Sequence, residues 1–231
     1  MPESNLRILI QRSRSLLKEK LAAFLFVTLW IGVPYFGLQF VELFPLTTVP
    51  RLAIDRQIPF NDNTIWIYLS MYLLVPLAAF MSNQRYQLRQ CVLGSSMIGF
   101  VSALAFLFFP TTVPRPPVNI IDQSNWCYRL IVQIDQPVNA CPSLHASLCV
   151  FAAMLCHSML AEAPYRWLWR GVLWLWTFAI LYSTLSTRQH VFIDIAAGAA
   201  LAPVAFSLVY FLKPMAQLTA LPRLPTTPES N

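Results

Sequence analysis

Long stretches without a charged side chain dictate what this chain can fold into. Residues 21–41, 64–84, 90–114, 136–161 and 171–187 contain no Asp, Glu, Lys or Arg, and 189–212 contains only Asp194. A helix needs ~20 mostly apolar residues to cross a bilayer. The runs therefore predict an all-α integral membrane protein, a bundle of six transmembrane helices. The shortest, 171–187, lengthens backwards if Arg170 snorkels to the interface. Charged residues make up 11% of the chain, against about 25% in an ordinary soluble domain. A fold that faces water all round is excluded.

The first twenty residues, "MPESNLRILIQRSRSLLKEK", are basic and weakly amphipathic, and the apolar run after them is too long for the core of a signal peptide. We expect a basic segment over 1–20, one membrane domain over 21–213 and a flexible Pro/Thr-rich tail over 214–231. Six spans put both termini on one side. That side holds Arg7, Arg12, Arg14, Lys18 and Lys20, then Arg85, Arg89, Arg166 and Arg170, then Lys213 and Arg223, eleven of the sixteen basic residues. The positive-inside rule then predicts cytoplasmic termini in a cell inner (plasma) membrane. The formal charge of +6 is a topology signal and calls for no nucleic acid.

Parity brings distant residues to one level. Spans 4 and 6 both begin at the outer face, where the 111–142 loop and span 5 end, so Arg115, Ser143, His145, Arg188, His190 and Asp194 are expected to share an outer-face site. In "RQHVFIDIAAG", His190 and Asp194 are four apart, which on a helix stacks them on one face. A carboxylate on one imidazole nitrogen fixes the tautomer and frees the other as a base or nucleophile. An ionisable residue inside a span is costly and points to function. The bland alternative is that Asp194 only steadies a core histidine. In "CPSLHAS", Ser143 caps a helix whose free N–H groups suit an anion. Arg115 of "VPRPP" and Arg188 of "STRQH" would complete a phosphate pocket. Each has its bland reading too, a plain cap for the serine and interface anchoring for the arginines.

"PSLH" at 142–145 and the His-x-x-x-Asp of 190–194 resemble the second and third signature motifs of the type-2 phosphatidic acid phosphatase superfamily, and Arg115-Pro116 resembles the end of the first. The superfamily also includes haloperoxidases and a branch of inositol phosphorylceramide and sphingomyelin synthases. The resemblance implies that His190 attacks phosphorus and becomes a phosphohistidine, with Asp194 orienting it. His145 would protonate the leaving oxygen and then activate the acceptor. Arg115, Ser143 and the first amides of span 4 would hold the phosphate oxygens, with no metal or other cofactor. The implied partners are a lipid phosphate substrate and the surrounding membrane lipids.

The chain departs from the pattern at two places. Phe108 stands where the first motif has a lysine, and Ser183-Thr184 where the third has Ser-Arg. Arg188, two residues before His190, would be the substitute for the missing arginine, with a different geometry. These losses resemble the lipid phosphotransferase branch. The first reading is hydrolysis of a lipid phosphomonoester or pyrophosphate at the outer leaflet. The second is transfer of a phospho-headgroup to another lipid, and the rival class is a non-catalytic anionic-lipid transporter. Cys127 and Cys141 both fall in the long outer loop, open to a disulfide in an oxidising compartment. His157 lies twelve residues after His145, ~18 Å deeper along a helix, and is expected to make a contact near the inner face. The polar stretch 51–66 is expected to rim the pocket.

Overall fold

A computed structural model of the protein describes residues 16–41 and 43–211. The expectations for residues 1–15 and for the tail beyond 211 lie outside the described residues. Helix α1 (Leu17–Gly37) runs on into a 3-10 turn, Leu38–Phe40. It leaves Leu21, Leu25, Leu29 and Val33 more than half exposed, a surface that suits lipid and not water. A second membrane stretch is built from a 3-10 turn (Asp62–Thr64), α3 (Ile65–Leu69) and α4 (Met71–Met81), and a third is α5 (Arg85–Phe108). Helix α2 (Ala53–Gln57) is short, as are α6 (Val118–Gln123) and α7 (Trp126–Ile134) in the long loop after α5. Then come α8 (Leu144–Met159), α9 (Arg166–Ser186) and α10 (Phe192–Phe211).

Helices occupy all six expected runs, yet only four stretches among the described residues are long and apolar enough to cross a membrane: Leu17–Phe40, Asp62–Met81, Arg85–Phe108 and Phe192–Tyr210. The other two fall short for different reasons. Helix α9 has 21 residues, but Arg166, Arg170, four tryptophans and a hydroxyl-rich last turn dilute its apolarity. Helix α8 has 16 residues, ~24 Å against a hydrocarbon core of ~30 Å. The first eight residues of its uncharged run, 136–143, turn instead of coiling, because Ser143 begins the helix as its cap. Helix α8 packs against α4, α5, α9 and α10, and Leu144–Ala153 is buried throughout. An apolar-all-round helix belongs inside a bundle. Its run of uncharged residues measures burial in protein.

The crossing of α8 with α10 is close. A Cβ on Gly198 would lie 2.2 Å from the Ser143 carbonyl oxygen and 3.0 Å from Ser147 Oγ, so only glycine fits. At the same end of the bundle, strands β1 (Thr47–Thr48) and β2 (Thr111–Thr112) pair in parallel, and Thr112 also bridges to Val138. Behind them Val49, Val113, Ala140 and Val191 form a small apolar cluster. Three loops and the approach to α10 are thereby tied together.

The five cysteines are free thiols, so Cys127 and Cys141, which the sequence leaves open to a disulfide, are not bridged. Cys127 packs into the main core, whereas Cys141 packs against the small cluster under the strands. Burial pushes both thiols above their ordinary range. At the opposite end of α8, Trp174 Nε1 donates to His157 Nδ1 at 3.1 Å and Arg170 Nε to the His157 carbonyl at 3.2 Å, the separate contact expected there.

Candidate active site

The turn between α9 and α10 aims the site's side chains. Arg188 has φ 56°, in the left-handed region. Its N–H donates to the Leu185 carbonyl at 3.1 Å, and the next N–H, of Gln189, reaches Thr184 O at 3.0 Å. This is the paired 6→1 and 5→2 pattern of a Schellman helix end, with Arg188 at its left-handed position. The reversal sends successive side chains in different directions. Arg188 leaves the site: Nη1 donates to Asp55 O at 2.7 Å and Nη2 to Ile58 O at 2.6 Å. Its guanidinium pins the 51–66 segment, and burial lowers its proton affinity. Gln189 and His190 line a pocket instead.

His190 lies just before α10, not on it, which changes how the expected pair forms. Ile195 N–H donates to Val191 O, so Val191 is the helix cap and Asp194 its third helical residue. Asp194 Oδ1 accepts from Val191 N and Ile195 N, both at 2.9 Å, and Oδ2 accepts from His190 Nδ1 at 2.8 Å. A carboxylate three residues after the cap, reaching back to the cap amide, is half of a capping box. The same carboxylate thus starts the helix and orients the histidine. It is fully buried.

From His190 the chain of contacts continues. His145 Nδ1 lies 2.9 Å from His190 Nε2, and Tyr68 Oη lies 2.9 Å from His145 Nε2. With one proton per ring, the direction is fixed. Asp194 offers only acceptors, so His190 carries its proton on Nδ1 and presents a lone pair at Nε2. His145 must then donate from Nδ1, and Tyr68 donates to its Nε2. Four side chains, from α3, α8, the turn before α10 and the first turn of α10, form one line, Tyr68 to His145 to His190 to Asp194. The sequence carries no signal for Tyr68, since an aromatic residue in an apolar run reads as packing.

The pocket beside this line is lined by Tyr35, Arg115, Asp135, Asn139, Gln189 and His190 among others. Its volume is ≈ 10 Å³, about one water molecule's worth. Arg115 Nη2 donates to Asp135 O at 2.6 Å and to Gln189 Oε1 at 2.9 Å. Two buried donors, Arg115 Nε and Gln189 Nε2, have no hydrogen-bond partner among the described residues. Unpaired buried donors are costly, and two in one pocket suit an oxyanion. Tyr35 Oη donates to Asp135 Oδ1 at 2.6 Å, which sets a carboxylate at the same pocket. Ser143 caps α8: its Oγ accepts from Ala146 N at 3.2 Å, and its own N–H donates to Asp194 O at 2.9 Å.

Of the six residues singled out in the sequence, the fold brings His145, His190, Asp194 and Arg115 together. Ser143 joins them through its backbone, and Arg188 is turned away. No curated protein matches this chain. A PAP2 superfamily profile matches residues 43–208, a span that takes in Arg115, His145, His190 and Asp194. With that profile covering well over half its length, the chain belongs to the PAP2 superfamily, whose members point to phosphatase or phosphotransferase chemistry.

Proposed function

We propose that this protein is an integral membrane enzyme that cleaves a lipid phosphate through a phosphohistidine on His190. The observation that carries the reading is the buried line Asp194–His190–His145 beside two unpaired donors. In the first step His190 Nε2 attacks phosphorus, an N–P bond forms and the P–O bond to the lipid breaks. His145, doubly protonated once the pair takes up one proton with the substrate, gives its Nδ1 proton to the leaving oxygen and is left neutral with Nε2–H toward Tyr68. Asp194 holds Nδ1–H of His190 and offsets the charge gained by that ring. In the second step His145 takes a proton from water, the oxygen attacks phosphorus and the P–N bond breaks. Phosphate leaves and His145 is recharged. The 2.9 Å contact between His145 Nδ1 and His190 Nε2 occupies the place of the phosphorus. With reacting atoms ~3 Å apart on each side, substrate must part these nitrogens to roughly 6 Å.

The first reading takes water as acceptor and a lipid phosphomonoester or pyrophosphate as substrate. A specific observation favours the second, transfer to a lipid alcohol. Phe108 and Thr184 remove two cations of the family pattern, Arg188 is engaged elsewhere, and Asp135 adds a carboxylate. A pocket with one cation and one anion fits a singly charged phosphodiester better than a doubly charged monoester.

The test is trapping. Protein in detergent is denatured during turnover of lipids labelled at phosphorus, and acid-labile, base-stable label is sought on the chain. Wild type should carry label and His190→Ala none. Unchanged turnover in His190→Ala would overturn the mechanism. Product analysis separates free phosphate from a new phospholipid, and so water from alcohol. The site is proposed to face the outer leaflet, with the termini cytoplasmic. Reporter fusions near Val118 should then read outside and fusions near Arg85 inside.

A further inference from the structure

We infer that Tyr68 is a positioning residue for His145, holding Nε2 so that Nδ1 is the nitrogen that moves the proton. The inference rests on the reading that His145 is the acid and base of the reaction. Tyr68 is 1% exposed, and its hydroxyl lies 2.9 Å from Nε2 while Nδ1 faces His190 at 2.9 Å. An imidazole on a helix has two nitrogens and a ring that can flip. Only an occupied Nε2 makes the choice of reacting nitrogen unique.

The hydroxyl suits both charge states that His145 passes through. With one proton per ring, the resting state, Tyr68 donates to Nε2 and Nδ1–H faces His190 Nε2. When the pair gains one proton, Nε2–H donates to the same hydroxyl. It still does so after Nδ1 has given its proton to the leaving oxygen, so that Nδ1 holds the lone pair that takes water's proton. No other phenol, thiol or carboxylate is hydrogen bonded to Nε2 among the described residues. Helix α3 is itself held in place: Thr64 Oγ1 lies 2.6 Å from Ser186 Oγ, and Trp176 Nε1 donates to Ser70 Oγ at 2.8 Å. The tyrosine is fixed from both ends of its short helix to the span that leads into His190.

Tyr68→Phe tests this, with Tyr72→Phe, on a side chain 60% exposed one turn away, as the control. Two readouts are used. The first is nitrogen NMR on protein labelled in its three histidines. In wild type His145 should show a protonated Nδ1 and a hydrogen-bonded, unprotonated Nε2, and in Tyr68→Phe the two tautomers should mix. The second is turnover on two substrates. With an alkyl leaving group, which needs its proton, Tyr68→Phe should lose roughly tenfold in kcat. With a nitrophenyl leaving group the loss should be under about threefold, because general acid help matters little there. Tyr72→Phe should change neither. Equal losses on both substrates with an unchanged His145 spectrum would reduce Tyr68 to packing and overturn the inference. A changed spectrum in a protein inert toward every lipid phosphate would keep Tyr68's hold on the ring and instead remove the proposed reaction.

Discussion

Asp194→Asn is the sharpest perturbation of the site, because the fold dictates which way the amide must face. Oδ1 accepts two backbone N–H groups, Val191 and Ile195, each at 2.9 Å. An asparagine must keep its oxygen there, so its NH₂ falls opposite His190 Nδ1, where Oδ2 accepted at 2.8 Å. Donor then faces donor. The ring escapes by moving its proton to Nε2, which removes the attacking lone pair. Holding the reactive tautomer would leave a buried donor unpaired, about 1–3 kcal/mol, and forgo a hydrogen bond of about 0.5–1.5 kcal/mol. Losing the carboxylate's hold on the charged ring adds about 1.5–3 kcal/mol. Together the barrier rises by about 3–7 kcal/mol, or roughly 10²–10⁵-fold in rate. The cap hydrogen bonds survive, so thermal unfolding of the Asn variant in detergent should match wild type. Asp194→Ala, which loses the cap as well, should also be destabilised by about 1 kcal/mol. The assay is release of phosphate or of transferred headgroup at saturating lipid, read alongside the unfolding curve. An Asn variant with more than a tenth of wild-type kcat would refute the tautomer argument.

Three further outcomes follow from particular contacts. Gln189→Leu removes an unpaired donor from the pocket, and a hydrogen bond to a charged group is worth about 1.5–3 kcal/mol, so kcat/KM should fall roughly 10–10²-fold; an unchanged value would separate Gln189 from substrate. Gly198→Ala sets a methyl 2.2 Å from the Ser143 carbonyl, forcing α8 and α10 apart; a shift near 1 Å should cost about 10²-fold in rate and about 1–3 kcal/mol of stability, and wild-type behaviour in both would show that the crossing yields freely. Cys127 and Cys141 should alkylate without reductant once the protein is unfolded in denaturant, and slowly before, since burial raises both thiols; a requirement for reductant would establish the bridge that the fold lacks.

What the sequence makes legible here is what depends on composition and short spacing. Uncharged runs reveal membrane helices because the cost of a charge in lipid is paid residue by residue. They do not tell lipid from protein as the apolar surroundings, which is why α8 reads as a full span and measures 16 residues. His190 and Asp194 are visible as a pair because four residues separate them. The sequence places them on a helical turn, and a helix cap brings them together instead. Tyr68 and His145 are 77 positions apart, and Tyr35 and Asp135 are 100 apart. No local pattern connects such partners; only the packing of α1, α3, α8 and the end of α7 does.

Arg188 and Gln189 show how far one backbone angle can redirect a reading. Charge and spacing alone favour Arg188 as the phosphate ligand, because it stands two residues before the histidine. The left-handed turn at Arg188 reverses the outcome. Its guanidinium is satisfied by two carbonyls of the 51–66 segment, so it ties that segment to the turn, and the residues that line the pocket come from elsewhere in the fold. The neutral Gln189 takes the position at the pocket and ties itself to Arg115 through Oε1. A neutral donor in place of a cation would lower the pull on a second negative charge. Replacing Phe108 by Lys and Thr184 by Arg would restore the family's charges. If charge sets the substrate, that double variant should gain activity on monoesters relative to diesters, and equal changes on both would assign the preference to shape.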